Sequence, residues 1–327
     1  MSYLLIGDLH LTDRPKDAYR FGIFSWIIKQ QDRIKPQATF LMGDITDQKD
    51  KHSATLVNRT VDSLLQLRPP VFILMGNHDY ISPENPFFRF LSKLDGLHFV
   101  SSPRYVFTEV AMIPHCRAEA DFAAACSRIT ARPQFLLLHN TFAGAIAETG
   151  APLSGFSPEP IKAIRPRLGS FAGDVHRPQQ AGPITYVGAP YHVRFGDNFT
   201  PRCLLVDEKG KTTNLYFEAP RKWQLVVRDA TGIIRNDKLV AGDQVKVTIN
   251  VPREEAVEWK TYRKQVLDAC KKLKLEVFGI DLKVSTTRQR IAKAPVSRQP
   301  EDIITAFCKH ENAPSQVRQA GLAFVKG

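Results

Sequence analysis

Three short stretches decide the fold: Gly7-Asp8-Leu9-His10, Gly43-Asp44-Ile45-Thr46-Asp47 and Gly76-Asn77-His78-Asp79. Each follows an apolar run, residues 3–6, 39–42 and 71–75, that reads as a buried strand of a mostly parallel sheet. In such a sheet the loops past the carboxyl ends of the strands converge on one crevice, so residues distant in sequence become neighbours. Asp8, His10, Asp44, Asn77 and His78 are therefore expected in one pocket. Carboxylate, imidazole and amide donors without a thiolate suit manganese, iron or zinc ions held by oxygen and nitrogen. The glycine ahead of each motif is read as the residue that lets the chain turn out of the strand.

Taken singly, an Asp or Asn past a strand is also an ordinary cap or turn residue. Three in strand order, followed by His139 at the end of the run 135–138 and by Gly173-Asp174-Val175-His176, point instead to a shared centre. The order D-x-H, G-D-x-x-D, G-N-H-D, strand-end His and G-x-x-H resembles that of the calcineurin-like metallophosphoesterases. The resemblance spans Asp8 to His176. It implies an α/β fold: a two-sheet sandwich flanked by helices, with two divalent ions between strand-end loops. It also implies that Asp8, His10 and His176 hold one ion, Asp44 bridges both, and Asn77 and His139 hold the second. His78 would face the scissile phosphate as general acid or hydrogen-bond donor, with Asp79 orienting its ring. Where the family usually has a first histidine in the last motif, this chain has Asp174. A carboxylate there shifts the expected preference toward manganese or magnesium, with iron and zinc as alternatives, or else only makes a turn. The implied chemistry is phosphoester hydrolysis by an activated water without a covalent intermediate.

At 327 residues the chain is long enough for a large core and a second domain. No apolar run approaches the 18 or more residues of a membrane span, and the N-terminus does not read as a signal peptide. Five scattered cysteines form no C-x-x-C pair and are expected as free thiols of a reducing compartment, with the bacterial or phage-infected cytoplasm the default.

The charge is unevenly placed. Residues 220–327 carry 21 Lys and Arg against 12 Asp and Glu, whereas residues 1–219 carry 24 against 21. A basic C-terminal third beside a phosphoesterase centre suits a polyanionic substrate, and a solvated basic surface is the plainer alternative.

Along the chain, residues 17–34 and 54–65 carry apolar residues at helical spacing and read as crossover helices. Arg14, Lys16 and Arg20 lie close enough to the first motif to touch a substrate phosphate, but such residues are more often solvated and are not ranked as catalytic. His52, in the polar loop after the second motif, is a candidate substrate contact or a plain helix-start residue. Phe87, Phe88 and Phe90 either stack a base at the mouth of the site or pack a short helix. Residues 98–113 read as short strands opening the second sheet, residues 118–131 as a helix, and residues 144–166 as a long Gly/Pro-rich loop of functional type. The stretch Gly188-Ala189-Pro190-Tyr191-His192-Val193-Arg194-Phe195-Gly196-Asp197 is similar to the signature of SbcD-type DNA repair nucleases, which on that likeness places His192 and Arg194 beside the metals.

The domains expected are a catalytic unit over 1–219, a basic α+β cap over 220–287 that binds DNA, a linker over 288–300 and C-terminal helices over 301–327. The cap carries the alternating run Val245, Val247, Ile249 and Val251 and a helix with Lys260, Arg263, Lys264, Lys271 and Lys272. Ile303, Ile304, Phe307, Val317, Leu322 and Phe324 either dock an SMC-like ATPase or pack back on the cap. Expected partners are DNA, that ATPase subunit and a second copy of the chain, with no membrane. Three functions follow: a metal-dependent DNA nuclease of recombination, repair or degradation; a phosphatase or phosphodiesterase for phosphoproteins or small nucleotides; and a catalytically weak nucleic-acid-binding scaffold.

Overall fold

The computed structural model describes residues 2–82, 84–285 and 299–326. Two six-stranded sheets carry the catalytic unit. In the first, Ser2–Ile6, Ala38–Leu41, Val71–Leu74 and Leu97–Val100 lie parallel in that spatial order. The hairpin Cys203–Asp207 and Thr212–Leu215 closes its other edge, antiparallel to Ser2–Ile6. In the second, Val110–Ile113, Phe135–His139, Gly169–Gly173 and Ile184–Tyr186 are parallel neighbours, with antiparallel edges at Arg104–Phe107 and Gln179–Ala181.

Side-chain alternation explains why both faces are apolar. Tyr3, Leu5, Phe40, Met42, Phe72 and Leu74 of the first sheet meet Val110, Met112, Phe135, Leu137 and Phe171 of the second in a shared core. The opposite face of the first sheet, through Leu4, Ile6, Leu41 and Ile73, is covered by helices Gly22–Ile34 and Ala54–Leu65. The outer face of the second, through Ile113, Leu136, Leu138 and Ala172, is covered by Glu119–Ser127 and Glu159–Ile164. Strands buried on two sides need continuous apolar runs, as the sequence has.

Two boundaries differ from expectation. Leu97–Val100 does not open the second sheet; it pairs with Val71–Leu74 as the edge of the first, and the chain changes sheet only at Arg104–Phe107. Residues 15–21 form a 3-10 turn before the helix proper at Gly22–Ile34.

The cap is a parallel three-stranded sheet of Lys222–Val227, Gln244–Pro252 and Glu276–Ser285, with helix Trp259–Lys272 on one face. Leu225, Val245, Val247 and Ile249 point to that helix. Most of the linker expected over 288–300 lies outside the described residues. The last two helices, Pro300–His310 and Ser315–Lys326, pack on each other, with Ile304 against Gly321. Among the described residues no helix is long and apolar enough to cross a membrane, and all five cysteines are free thiols.

The cap is tied to the catalytic unit by a buried ion pair. Lys222 Nζ lies 2.7 Å from Asp17 Oδ1, both side chains only 4% exposed. The Lys222 amide donates to His192 Nδ1, and Gln244 Nε2 donates to the Lys16 carbonyl. Removing one partner of such a pair strands the other, which Arg20 at 3.5 Å offsets only in part. Lys222→Ala should therefore lower stability by about 3 kcal/mol, the lower end for breaking buried pairs. Urea unfolding of the full chain measures it, and a change below 1 kcal/mol, about the worth of an exposed pair, would show that the junction is not held this way.

Candidate metal centre

The loops past the strand ends meet as the parallel order requires. The His10 amide donates to the Asp44 carbonyl at 2.9 Å and the Leu11 amide to that of Ile45 at 2.9 Å, joining the first two motifs. Three sets of donor atoms result: Asp8, His10 and His176; His10, Asp44 and His78; Asp8, Asp44 and His139. Within each set the atoms lie within 4.8 Å of one another.

The edges between donors fit an ion. His10 Nε2 and His176 Nε2 stand 3.0 Å apart. Asp44 faces two histidines at once, Oδ2 at 3.4 Å from His10 Nε2 and Oδ1 at 3.4 Å from His139 Nε2. Donors about 2.1 Å from a common first-row ion stand roughly 3.0–3.4 Å apart in tetrahedral or octahedral arrangement. Asp8 Oδ2, Asn77 Oδ1 and His139 Nε2 are buried and have no hydrogen-bond partner, a cost that coordination would remove. His139 Nδ1–H donates to the Met42 carbonyl at 2.5 Å, which leaves Nε2 as the coordinating nitrogen. His176 Nδ1 has no hydrogen-bond partner and lies 3.5 Å from Glu148 Oε1.

The sharp turns fall on the donors and not chiefly on the glycines. His10, Asp44 and Asp174 have φ of 41°, 53° and 77°, a left-handed conformation that costs a non-glycine residue of order 1–3 kcal/mol. Among the three motif glycines only Gly43 has positive φ, at 103°. Gly76 serves close approach instead: a Cβ there would sit 2.3 Å from Asp44 Oδ1.

Asp79 does not orient His78. Wholly buried, it accepts from the amides of Gly76, Asp44 and Ile45 at 2.7, 2.8 and 2.9 Å and so clamps the second and third motifs together. The His78 ring is held by its Nδ1 on the Asp47 carbonyl at 2.8 Å, while the His78 amide donates to Asp44 Oδ1. Adjacency in sequence suggested the pairing, and the turn between the two residues points their side chains to different partners.

Asp174 belongs to none of the three donor sets. Its carboxylate accepts from Thr141 Oγ1 at 2.7 Å and its amide donates to Asp8 Oδ1 at 2.9 Å, so it positions Asp8 through the backbone. His52 is pinned by Thr46 Oγ1 and stacked on Phe87 at 4.0 Å, while Phe88 is core and Phe90 40% exposed. His192 is buried between the Phe199 carbonyl and the Lys222 amide, in the cap junction and not at the metals. Arg194 is exposed and lines a cleft that opens beside Asp47.

Two residues escaped the sequence reading. Glu148 comes from the long Gly/Pro-rich loop, where nothing local marks it. His115 follows Val110–Ile113, a fourth strand end, and its ring lies 6.1 Å from that of His139 beside Asn77 and Tyr80. The signal was present as an apolar run ending in a histidine.

Residues 1–141 match the family model of the calcineurin-like phosphoesterases. The superfamily is supported by motif, fold and donor set together. No curated protein matches the chain. Match and cluster support metal-dependent phosphoester hydrolysis, with divalent ions as the cofactor.

The buried charges of the candidate metal centre act on one another. Burial pushes the Asp8 carboxyl up to about 7 against the pull of His139. Burial opposes ionisation of Asp44 too, but His139, His10 and His78 hold it well below the usual carboxylate range. Burial likewise disfavours charge on His139, yet Asp44 raises that ring well above the usual imidazole value. Burial and the neighbouring His10 push His176 far down. Asp44 thus favours the protonated His139 ring, whereas coordination needs Nε2 without its proton.

Manganese binding should release at least one proton and weaken as pH falls. Calorimetry in two buffers of different ionisation enthalpy reads this, and a pH-independent affinity would contradict it. Asp79→Ala strands three buried amides, each worth about 1–3 kcal/mol. It should cost about 3 kcal/mol or more in urea unfolding and abolish metal binding, whereas a variant that keeps stability and metal would refute the clamp.

Proposed function

We propose that the protein is a metal-dependent DNA nuclease using two divalent ions, with manganese favoured. The observation that carries this reading is the seat of the basic cap: its sheet packs on residues 16–17, a few residues past the first motif and next to Asp47 at the rim of the centre. A surplus of cations there favours a polyanion over a small ester.

Asp8, His10, Asp44, Asn77, His139 and His176 would hold the ions. Bound there, divalent ions supply Lewis-acid polarisation of a phosphoryl oxygen and an activated water. His78, fixed through Nδ1 on the Asp47 carbonyl, keeps Nε2 for the substrate, where the ring would act as general acid or hydrogen-bond donor to the leaving oxygen or to phosphoryl charge. Asp79 fixes the loop that carries His78. The C-terminal helices leave Ile303, Phe307, Val317 and Phe324 at 50, 54, 54 and 89% exposure, which supports a docking face for the coiled coil of an ATPase subunit.

End-labelled linear DNA, single and double stranded, should be cut with manganese and protected by chelator. His78→Ala should lower the rate roughly 100-fold or more, the usual contribution of a positioned acid. Turnover of bis(4-nitrophenyl) phosphate with both DNAs intact would instead favour a phosphodiesterase for small substrates.

A further inference from the structure

A cleft of about 680 Å³ lies between the catalytic unit and the uncovered face of the cap sheet. Its volume is that of a ligand site, in the general range of about 300–1,000 Å³. Asp47 lines it, and Asp47 Oδ1 lies 3.4 Å from His10 Nδ1, on the ring edge away from the other donors, so the cleft borders the metal centre through Asp47. The basic residues of the cap helix do not line it; Lys260, Arg263, Lys264, Lys271 and Lys272 are exposed on the far side of the sheet. The cations that do line it and are exposed are Arg14, Lys16, Arg194 and Lys246. Two aromatic rings accompany them. Phe195 and Phe278 stand 4.9 Å apart at 58°, with Lys16 Nζ 4.2 Å over the ring of Phe278 and Lys246 Nζ 4.8 Å over that of Phe195.

Phe278 is placed there by an irregularity. Along Glu276–Ser285, Val277, Ile280 and Leu282 pack toward the cap helix. Val245 pairs with Val277 and Lys246 pairs with Gly279, so Phe278 is the extra residue of a β-bulge and its ring turns to the cleft. Phe278 is half-buried against Phe195 and Lys16 on an otherwise polar, cationic wall, and the part of the ring left open suits a flat ligand.

Resting on the nuclease reading, we infer that this cleft binds single-stranded DNA, with one unpaired base on the Phe195–Phe278 platform and the flanking phosphates on Arg14, Lys16, Arg194 and Lys246. Stacking on an aromatic requires a base face that a continuous duplex keeps covered, whereas phosphate contacts alone would not distinguish the two. Asp47 and the buried Asp17 are the carboxylates lining the cleft: Asp17 is paired with Lys222, and Asp47 lies 3.4 Å from His10 and 3.8 Å from Arg14, an exposed pair that a phosphate would compete for. The strand held there would run from the platform to the metals, so the nuclease should act on unpaired ends and gaps.

The test is fluorescence anisotropy of a labelled 15-residue oligothymidylate on the manganese-loaded full chain in the His78→Ala background. The expected results are tighter binding of the single strand than of a blunt duplex of equal length, and about tenfold weaker binding on Phe278→Ala, the loss of one stacked base. Phe278→Trp should restore affinity, and an oligomer of abasic sites should bind Phe278→Ala and its parent alike. Lys246→Ala should weaken both oligomers and reduce the salt slope by about one. Equal affinity of Phe278→Ala and parent for oligothymidylate, or preference for the duplex, overturns the inference while leaving the nuclease reading intact. Failure of the wild-type chain to bind or cut any DNA while it hydrolyses bis(4-nitrophenyl) phosphate overturns the nuclease reading itself.

Discussion

Two carboxylates and three imidazoles are buried together with their donor atoms converging, an arrangement that a bound cation would stabilise. His10 Nε2 and His176 Nε2 face each other at 3.0 Å, and Asp44 presents one oxygen to His10 and the other to His139. Such a cluster without a cation combines desolvation with unpaired acceptors, each of which costs several kcal/mol. Much of the surrounding architecture can be understood as holding that cluster still. The first two loops are joined by backbone hydrogen bonds, Asp79 ties the second to the third, and Asp174 ties the last to Asp8. The left-handed backbone at His10, Asp44 and Asp174 is strain that this bonding outweighs.

The strands were legible because burial on both faces removes the usual alternation and leaves unbroken apolar runs, as in residues 71–75. The clustering of the candidate donors was legible because a parallel sheet delivers its loops to one edge whatever their separation in sequence. Side-chain direction within a tight turn was not. His78 and Asp79 are neighbours in sequence, yet one rests on a carbonyl of the second motif and the other on three amides. Sheet membership of Leu97–Val100 was equally hidden, since the run suits either sheet and only the pairing with Val71–Leu74 decides it. Phe278 was unreadable for a related reason: a bulge breaks the period of two on which inward and outward assignments rest.

The cap's net charge and its local charge carry different information. Most of the helix cations are remote from the metals, and as solvated surface they act through the long-range field, which salt screens over roughly 8–10 Å. The residues close enough to touch a substrate come from both units: Arg14, Lys16 and Arg194 from the catalytic part, Lys246 from the cap sheet. Counting charges along the sequence credited the C-terminal third with a role that the catalytic unit shares.

The same junction couples substrate grip to the metal site. Arg20, buried, donates to the carbonyl of His10, a metal donor, and at 3.0 Å to that of Val193, next to Arg194 and Phe195 in the cleft wall. It also lies 3.5 Å from Asp17, which pairs with Lys222 at the start of the cap. One guanidinium thus bonds to the first metal motif and to the cleft segment, and it shares its carboxylate with the cap. With several donors in a fixed fork, arginine can serve these directions at once, and lysine, a single ammonium, could not hold the same planar geometry. Any shift of the cap relative to the catalytic unit must strain this set of bonds, so cleft and metal centre are built to move together.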